Sequence, residues 1–299
     1  MFINGILTNS EAWHSISKQN IEDLEVRDRM LLRYIMGAHA KVQTEFLYLE
    51  SGATPLQHVI TSRRLLYLQT ILKRPQTELV RQVYEAQKDN PVRGDWINQV
   101  EEDLKIIKMV GKENIIEAMS KIQFKTEVRK QLKNHVFEIL GKKQEEHIKI
   151  KHIKYSELTM QTYLKTHMLN NHEASLLFSL RSESTREFRA NFPYNINQMC
   201  ALGCQELDTP QHCMICPHLK VEEAHGEAHD EAHNEDIVYE DLFSDKLSKQ
   251  VAVTKLFAAL LERREDASSL TTGPSRPVTV QGNDSVDHVN VYIHSFICY

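Results

Sequence analysis

The sequence predicts a mainly α-helical protein with one short cysteine-rich loop. Three observations carry that expectation. Before residue 200 no segment alternates apolar and polar residues with the period of two that marks a half-buried strand. Glycine (10) and proline (8) are scarce in a chain of 299 residues, so long helices can run uninterrupted. Four of the five cysteines fall within the 17 residues from Cys200 to Cys216.

The helices follow in order. Residues 17–36 place Ile21, Leu24, Leu31 and Ile35 near one face, and Gly37 is a natural stop. Thr54-Pro55-Leu56-Gln57 supplies a capping hydroxyl, a proline for the first helical position and a glutamine three residues after the cap, so a helix is expected from there to Arg74, before Pro75. Another is expected over 77–87. After the turn 90–94, Asp95 is placed to cap a helix from Trp96 to Val110. Residues 113–139, 142–152, 156–169 and 172–190 read as further helices, with breaks at Gly111 and Gly141. Residues 236–264 read as one more, with Val251, Leu256, Leu260 and Leu261 on its apolar side. The stretch 266–287 is rich in Ser, Thr, Gly and Pro and is expected to be disordered. Val289, Val291 and Ile293 alternate as a strand would.

The cysteines belong to a C-x3-C-x7-H-x3-C pattern formed by Cys200, Cys204, His212 and Cys216. Four such ligands can close around one ion as a tetrahedron, the geometry Zn²⁺ takes in structural sites. Gly203 and Pro210 fall in the intervening turns. Cys213 offers an alternative fourth ligand, which would make the pattern C-x3-C-x8-C-x2-C. The plainer alternatives are a zinc staple with no further role, or cysteines that hold no metal. The first residues have no basic segment followed by an apolar core, and no apolar run approaches the roughly 18 residues of a membrane span. An intracellular, reducing setting in cytoplasm or nucleus is therefore expected, not a secreted one, and there clustered cysteines serve as metal ligands rather than disulfides.

The net charge of −5 hides an asymmetry. Residues 121–154 hold ten Lys/Arg against four Asp/Glu, and residues 205–245 hold one Lys against twelve Asp/Glu. Lys121, Lys125 and Arg129 repeat every four residues, and Lys142 and Lys143 follow on the same segment. A cationic stripe of this kind suits salt-sensitive contact with a phosphate backbone; the alternative is a solvated helix face. Arg63, Arg64 and Arg74 lie on the Thr54–Arg74 helix, where a spacing of eleven residues, about three turns, puts Arg63 and Arg74 on one face. Residues 223–235 repeat Glu-Ala-His with period four, either a helical histidine face able to bind a metal or a flexible acidic linker. Trp13 and Trp96 read as core anchors. No G-x-S-x-G, Walker loop, H-E-x-x-H or G-x-G-x-x-G occurs, nor an aspartate pair suited to a two-metal polymerase site. No catalytic residue is assigned, and no small-molecule substrate or membrane is expected.

Several phrases in order carry a resemblance: Leu7-Thr-Asn-Ser-Glu-Ala-Trp13, Tyr48-Leu-Glu-Ser-Gly52 with Pro55, Arg63-Arg-Leu-Leu-Tyr-Leu-Gln-Thr-Ile-Leu72, Gly94-Asp-Trp96, and the cluster with Asp208-Thr-Pro-Gln-His212 inside it. Over roughly residues 5–264 the chain resembles the C-terminal portion of the reverse transcriptase of non-LTR retrotransposons. The resemblance implies a helical thumb-like bundle over 1–110, a basic helical connector over 111–195 and a zinc knuckle over 196–220. An acidic His-repeat linker (221–235), a C-terminal helix (236–265) and a disordered tail (266–299) follow, of which the repeat and the residues after about 265 depart from the family's pattern. It selects His212 over Cys213 as the fourth zinc ligand. It also implies RNA or DNA as partner, gripped during target-primed reverse transcription, with the catalytic palm preceding this part and so no polymerase chemistry within it. A full RNA-directed DNA polymerase from a longer reading frame, and a zinc-containing helical scaffold that binds protein, are the alternatives.

Overall fold

The computed structural model describes residues 7–13, 16–39, 41–185, 188, 198–219 and 237–271. Among these the chain is mainly helical, and its extended pairing is one isolated bridge, Met199 to Leu207. Eleven α-helices are present among the described residues: α1 (Lys18–Ile35), α2 (Thr44–Ser51), α3 (Leu56–Leu72), α4 (Leu79–Asp89), α5 (Trp96–Ile106), α6 (Glu113–Ala118), α7 (Lys121–Glu145), α8 (Thr162–Lys165), α9 (Asn171–Arg181), α10 (Pro210–Ile215) and α11 (Leu247–Thr271). None of the described helices is long and apolar enough to cross a membrane. The chain divides into two compact units: Met1–Leu32, Ser51–Glu146 and Lys154–Thr159 in the first, Arg33–Glu50, His147–Ile153 and Met160–Tyr299 in the second. The Glu-Ala-His repeat and the alternation at 289–293 lie outside the described residues.

In the first unit α3 runs through the middle. Leu65, Leu68, Ile71 and Leu72 join Ile97, Val100 and Leu104 of α5, Ile116 of α6, and Phe124, Val128 and Leu132 of α7 in one apolar cluster. The cluster therefore contains residues on both sides of Val110, where the sequence suggested a boundary. Because α3 is enclosed, its buried polar groups must find partners inside. Arg64 Nε donates to Asp103 Oδ2 at 2.6 Å, and Thr61 donates to Asp103 Oδ1 at 3.0 Å. Gln69 Nε2 donates to the carbonyls of Ile116 and Met119, both at 3.0 Å. Trp96 donates its indole N–H to the Glu11 carbonyl at 2.8 Å, and Trp13 packs beside Leu7, Leu56 and Ile60. Both tryptophans thus serve as anchors.

Several helix limits differ from expectation for identifiable reasons. Thr54 does not cap α3; instead the buried Glu25 of α1 accepts the Gln57 N–H at 3.0 Å. A carboxylate there also opposes the positive end of the helix dipole. The expected helix over 113–139 is two, α6 and α7, divided by a reciprocal cap. Ser120 Oγ accepts from Gln123 N, and Gln123 Oε1 accepts from Ser120 N. Gly141 does not stop α7, which continues to Glu145 with open space where a side chain would be. The expected helix over 142–152 therefore gives way to turns at 147–151. Over 156–169 only Thr162–Lys165 is helical, since Leu158 and Met160 are both buried, and two positions apart they would lie on opposite sides of a helix. Residues 172–190 are helical to Arg181. The helix expected over 236–264 is a 3-10 turn, Tyr239–Phe243, followed by α11. Residues 266–271, assigned to a disordered tail, belong to α11.

The second unit has its own apolar interior. Phe46, Leu47 and Leu49 of α2 are fully buried, as are Phe178 and Leu180 of α9 and Phe257 of α11. Phe46 and Phe178 meet at 5.0 Å between ring centroids. At the end of α2 the buried Glu50 accepts from Tyr163 and from Arg181 Nη2 at 2.9 Å, and Arg181 also donates to the Leu242 carbonyl. This network ties α2, α8, α9 and the 3-10 turn together. Gly37 ends α1 with φ +61°, and a Cβ there would lie 2.1 Å from Ser175 Oγ, so no other residue fits.

Candidate metal centre

The segment from Gln198 to Leu219 brings the four ligand-type residues to one point. Its first part is a narrow hairpin in which Cys200 N donates to Glu206 O at 2.9 Å and Asp208 N donates to Gln198 O at 2.8 Å. Within it Gly203 adopts φ +87°, a conformation that favours glycine, and turns the chain so that Cys204 faces back toward Cys200. Thr209 then caps α10, its hydroxyl accepting from His212 N at 3.1 Å. Pro210 is the first residue of α10 rather than part of a free turn. α10 carries His212, and Cys216 ends it one turn later.

The ligand atoms of Cys200, Cys204, His212 and Cys216 all lie within 4.8 Å of one another. Cys204 Sγ and Cys216 Sγ are 3.5 Å apart, and the cysteines here are free thiols rather than disulfides. His212 Nε2 is buried without a hydrogen-bond partner. An unpaired ring nitrogen among three sulfurs is costly unless something electrophilic sits between them. These four residues fit a metal ion. Without one, the Cys204 thiol is pushed up to about 12 by burial and by the Cys216 and Cys200 sulfurs, because adjacent thiolates repel. A cation reverses that preference, since a coordinating thiol is deprotonated.

Cys213 stands apart from this group. It is fully buried, and burial pushes its thiol up to about 12. It is not one of the four residues whose ligand atoms converge, although the Cys216 and Cys200 sulfurs lie near enough to add to that rise.

The cationic candidates fare differently from one another. Arg64 is turned inside the first unit, held by Asp103 and by the Trp13 carbonyl at 3.1 Å, and cannot reach a phosphate. Arg63 is half-buried and donates to the Leu7 carbonyl and to Ser10 Oγ at 3.5 Å. Arg74 lies beyond the end of α3, exposed and paired with Glu78 at 2.6 Å. The shared Arg63/Arg74 face read from helical spacing does not form, because α3 stops at Leu72 and its flanks are buried. The cations of α7 all face solvent, Lys142 and Lys143 on the same helix as the others. Lys121, Lys125, Arg129, Lys142 and Lys143 are all exposed, as are Lys130 and Lys133, and among the described residues none of the seven is in an ion pair. The same helix carries three glutamates.

The buried side of α7 explains how this face stays free. Phe124, Val128, Leu132, Val136, Leu140 and Gln144 are buried at a strict spacing of four. With 3.6 residues per turn each step advances roughly 40°, so the buried stripe winds around the helix. The cations at 121, 125, 129 and 133 follow the same winding one position along, on a continuous outward strip.

Comparisons with protein-family models, with curated proteins and with solved structures found no match.

Proposed function

We propose that this chain is a nucleic-acid-binding part of a non-LTR retrotransposon reverse transcriptase, made of its helical thumb, connector and zinc knuckle. The observation that carries this is the convergence of Cys200, Cys204, His212 and Cys216 on one point, in the ligand order the resemblance implies. Zinc is the ion that suits three thiolates and an imidazole in a closed site. With Zn–S bonds of about 2.3 Å, tetrahedral sulfurs stand roughly 3.8 Å apart, close to the 3.5 Å between Cys204 and Cys216.

The exposed cations of α7 supply the phosphate-binding surface in this account. Lys121, Lys125, Arg129, Lys142 and Lys143 extend along a 25-residue helix, about 37 Å from end to end. Such a surface binds backbone charge without reading sequence, so RNA and DNA are both candidates. The test is fluorescence anisotropy with RNA, single-stranded DNA and duplex DNA across a salt series. If four phosphates are neutralised, affinity for the duplex falls about 100-fold between 50 and 200 mM salt. No binding to any of the three at low salt would overturn the proposal.

One observation favours a protein-binding scaffold instead. Leu79 and Val83 of α4, one turn apart, are 75% and 48% exposed. Association through such a face is insensitive to salt, so the same series separates the two functions.

A further inference from the structure

The ligand loop is also held from outside. Asp208 lies between Cys204 and His212, and its carboxylate is buried. Arg264, far along α11, donates from Nη2 to Asp208 Oδ2 at 2.6 Å. The guanidinium also lies over the Phe188 ring, 5.4 Å from its centroid, and Phe188 in turn meets Phe257 of α11 edge-on at 6.3 Å. The Arg264 side chain is only 11% exposed. Burial opposes the charge on Arg264, but the bond and charge of Asp208 outweigh it and hold the guanidinium above its ordinary value, with the Cys213 and Cys200 sulfurs adding to the effect. A buried pair of this kind is hard to break from one side, because the remaining charge loses its counter-charge.

The position of Asp208 gives the pair leverage on the ligands. Its backbone N–H closes the hairpin that presents Cys200 and Cys204. The next residue, Thr209, caps the short helix that presents His212 and Cys216. One side chain thus sits at the joint between the two halves of the ligand set.

We propose that Asp208 and Arg264 are positioning residues that couple metal binding by Cys200, Cys204, His212 and Cys216 to the docking of α11. The coupling rests on the metal-site reading above, and it goes beyond it by making the C-terminal helix part of the site. Because coupling is reciprocal, an ion that orders the loop also protects α11, and loss of the latch weakens the ion's hold by the same factor. Residues outside a ligand shell that orient it typically alter metal affinity 10- to 100-fold.

The experiment uses the full chain and zinc alone. Zinc affinity is measured by competition with a chromophoric chelator for wild type, Arg264→Gln, Asp208→Asn and the double variant, with Arg264→Lys as the conservative replacement. Each single variant is expected to bind zinc at least 10-fold more weakly. The double variant should be no weaker than the worse single one, and Arg264→Lys should recover part of the loss. Hydrogen exchange of wild type with and without zinc supplies a readout that does not depend on a variant folding. Zinc should increase protection across 257–264 of α11. Equal zinc affinity in wild type and Arg264→Gln, or unchanged protection of α11 on adding zinc, would overturn the latch while leaving the metal site standing. A wild-type chain that takes up no zinc would remove both.

Discussion

The interior of the first unit and the ligand loop of the second fix their backbones by different means. Around α3, Leu65, Leu68 and Val100 are completely buried, and α3, α5 and α7, which carry most of this cluster, are 17, 11 and 25 residues long. The loop from Gln198 to Leu219 has one isolated bridge and a six-residue helix. A helix that short does not hold itself in water. What the loop buries is Cys200, His212, Cys213 and Cys216, with Asp208, Pro210 and Leu219. One region is stable through apolar area removed from water. The other brings together four ligand-type side chains that could draw the same stability from an ion.

That contrast can be broken from either side. The largest effect is expected from Cys200→Ser, which removes one ligand from the proposed zinc site, where a bound metal would supply on the order of 10 kcal/mol of folding free energy. Hydrogen exchange should show the loop 198–219 losing its protection while the amides of α3 and α5 keep theirs. Next is Asp103→Ala, which strands Arg64 and Thr61 inside the first unit. A loss of about 3–5 kcal/mol in urea denaturation is expected, while the folded protein still takes up metal.

A smaller effect comes from His58 on α3, which meets His135 of α7 edge-on at 5.6 Å. Burial, and then the neighbouring His135, lower the His58 pKa to about 4. The unfolded chain takes up this proton near the ordinary value of 6.5, so between those values the unfolded state binds more protons. The contribution to stability is complete above about pH 6.5 and is lost as pH falls toward 4, by on the order of 2 kcal/mol. His58→Gln should flatten that part of the stability curve. Smallest in energy is the exposed face of α7. Replacing Lys142 and Lys143 by alanine should leave stability within about 0.5 kcal/mol. The slope of nucleic-acid affinity against salt should become shallower by about 2.

The ligand set could be read from the sequence because metal coordination depends on a few residue types at short spacing, and those survive without knowledge of the fold. The amphipathic helix α1 was legible for a similar reason, since its apolar face follows the helical period, and α5 was marked by the turn at 90–94 before it. Ser120 with Gln123 and Asn170 with Glu173 also carry a local signal, since both are reciprocal caps that fix the starts of α7 and α9. The helix α2 was not seen because Phe46 to Leu49 are all buried, which leaves no polar face to mark a period. Arg63 and Arg64 misled because spacing places residues on a helix but not the helix in the protein. Only the packing of α3 beside α5 shows that Arg64 faces Asp103. Arg264 could not have been linked to Asp208 across 56 residues by any local pattern.

The decisive measurement is the zinc content of the purified chain by native mass spectrometry, compared with His212→Ala and Cys213→Ser. One zinc per chain, lost in His212→Ala and retained in Cys213→Ser, is the predicted result. A metal-free protein whose loop is nonetheless protected from exchange would contradict it, as would zinc that survives the loss of His212 but not of Cys213.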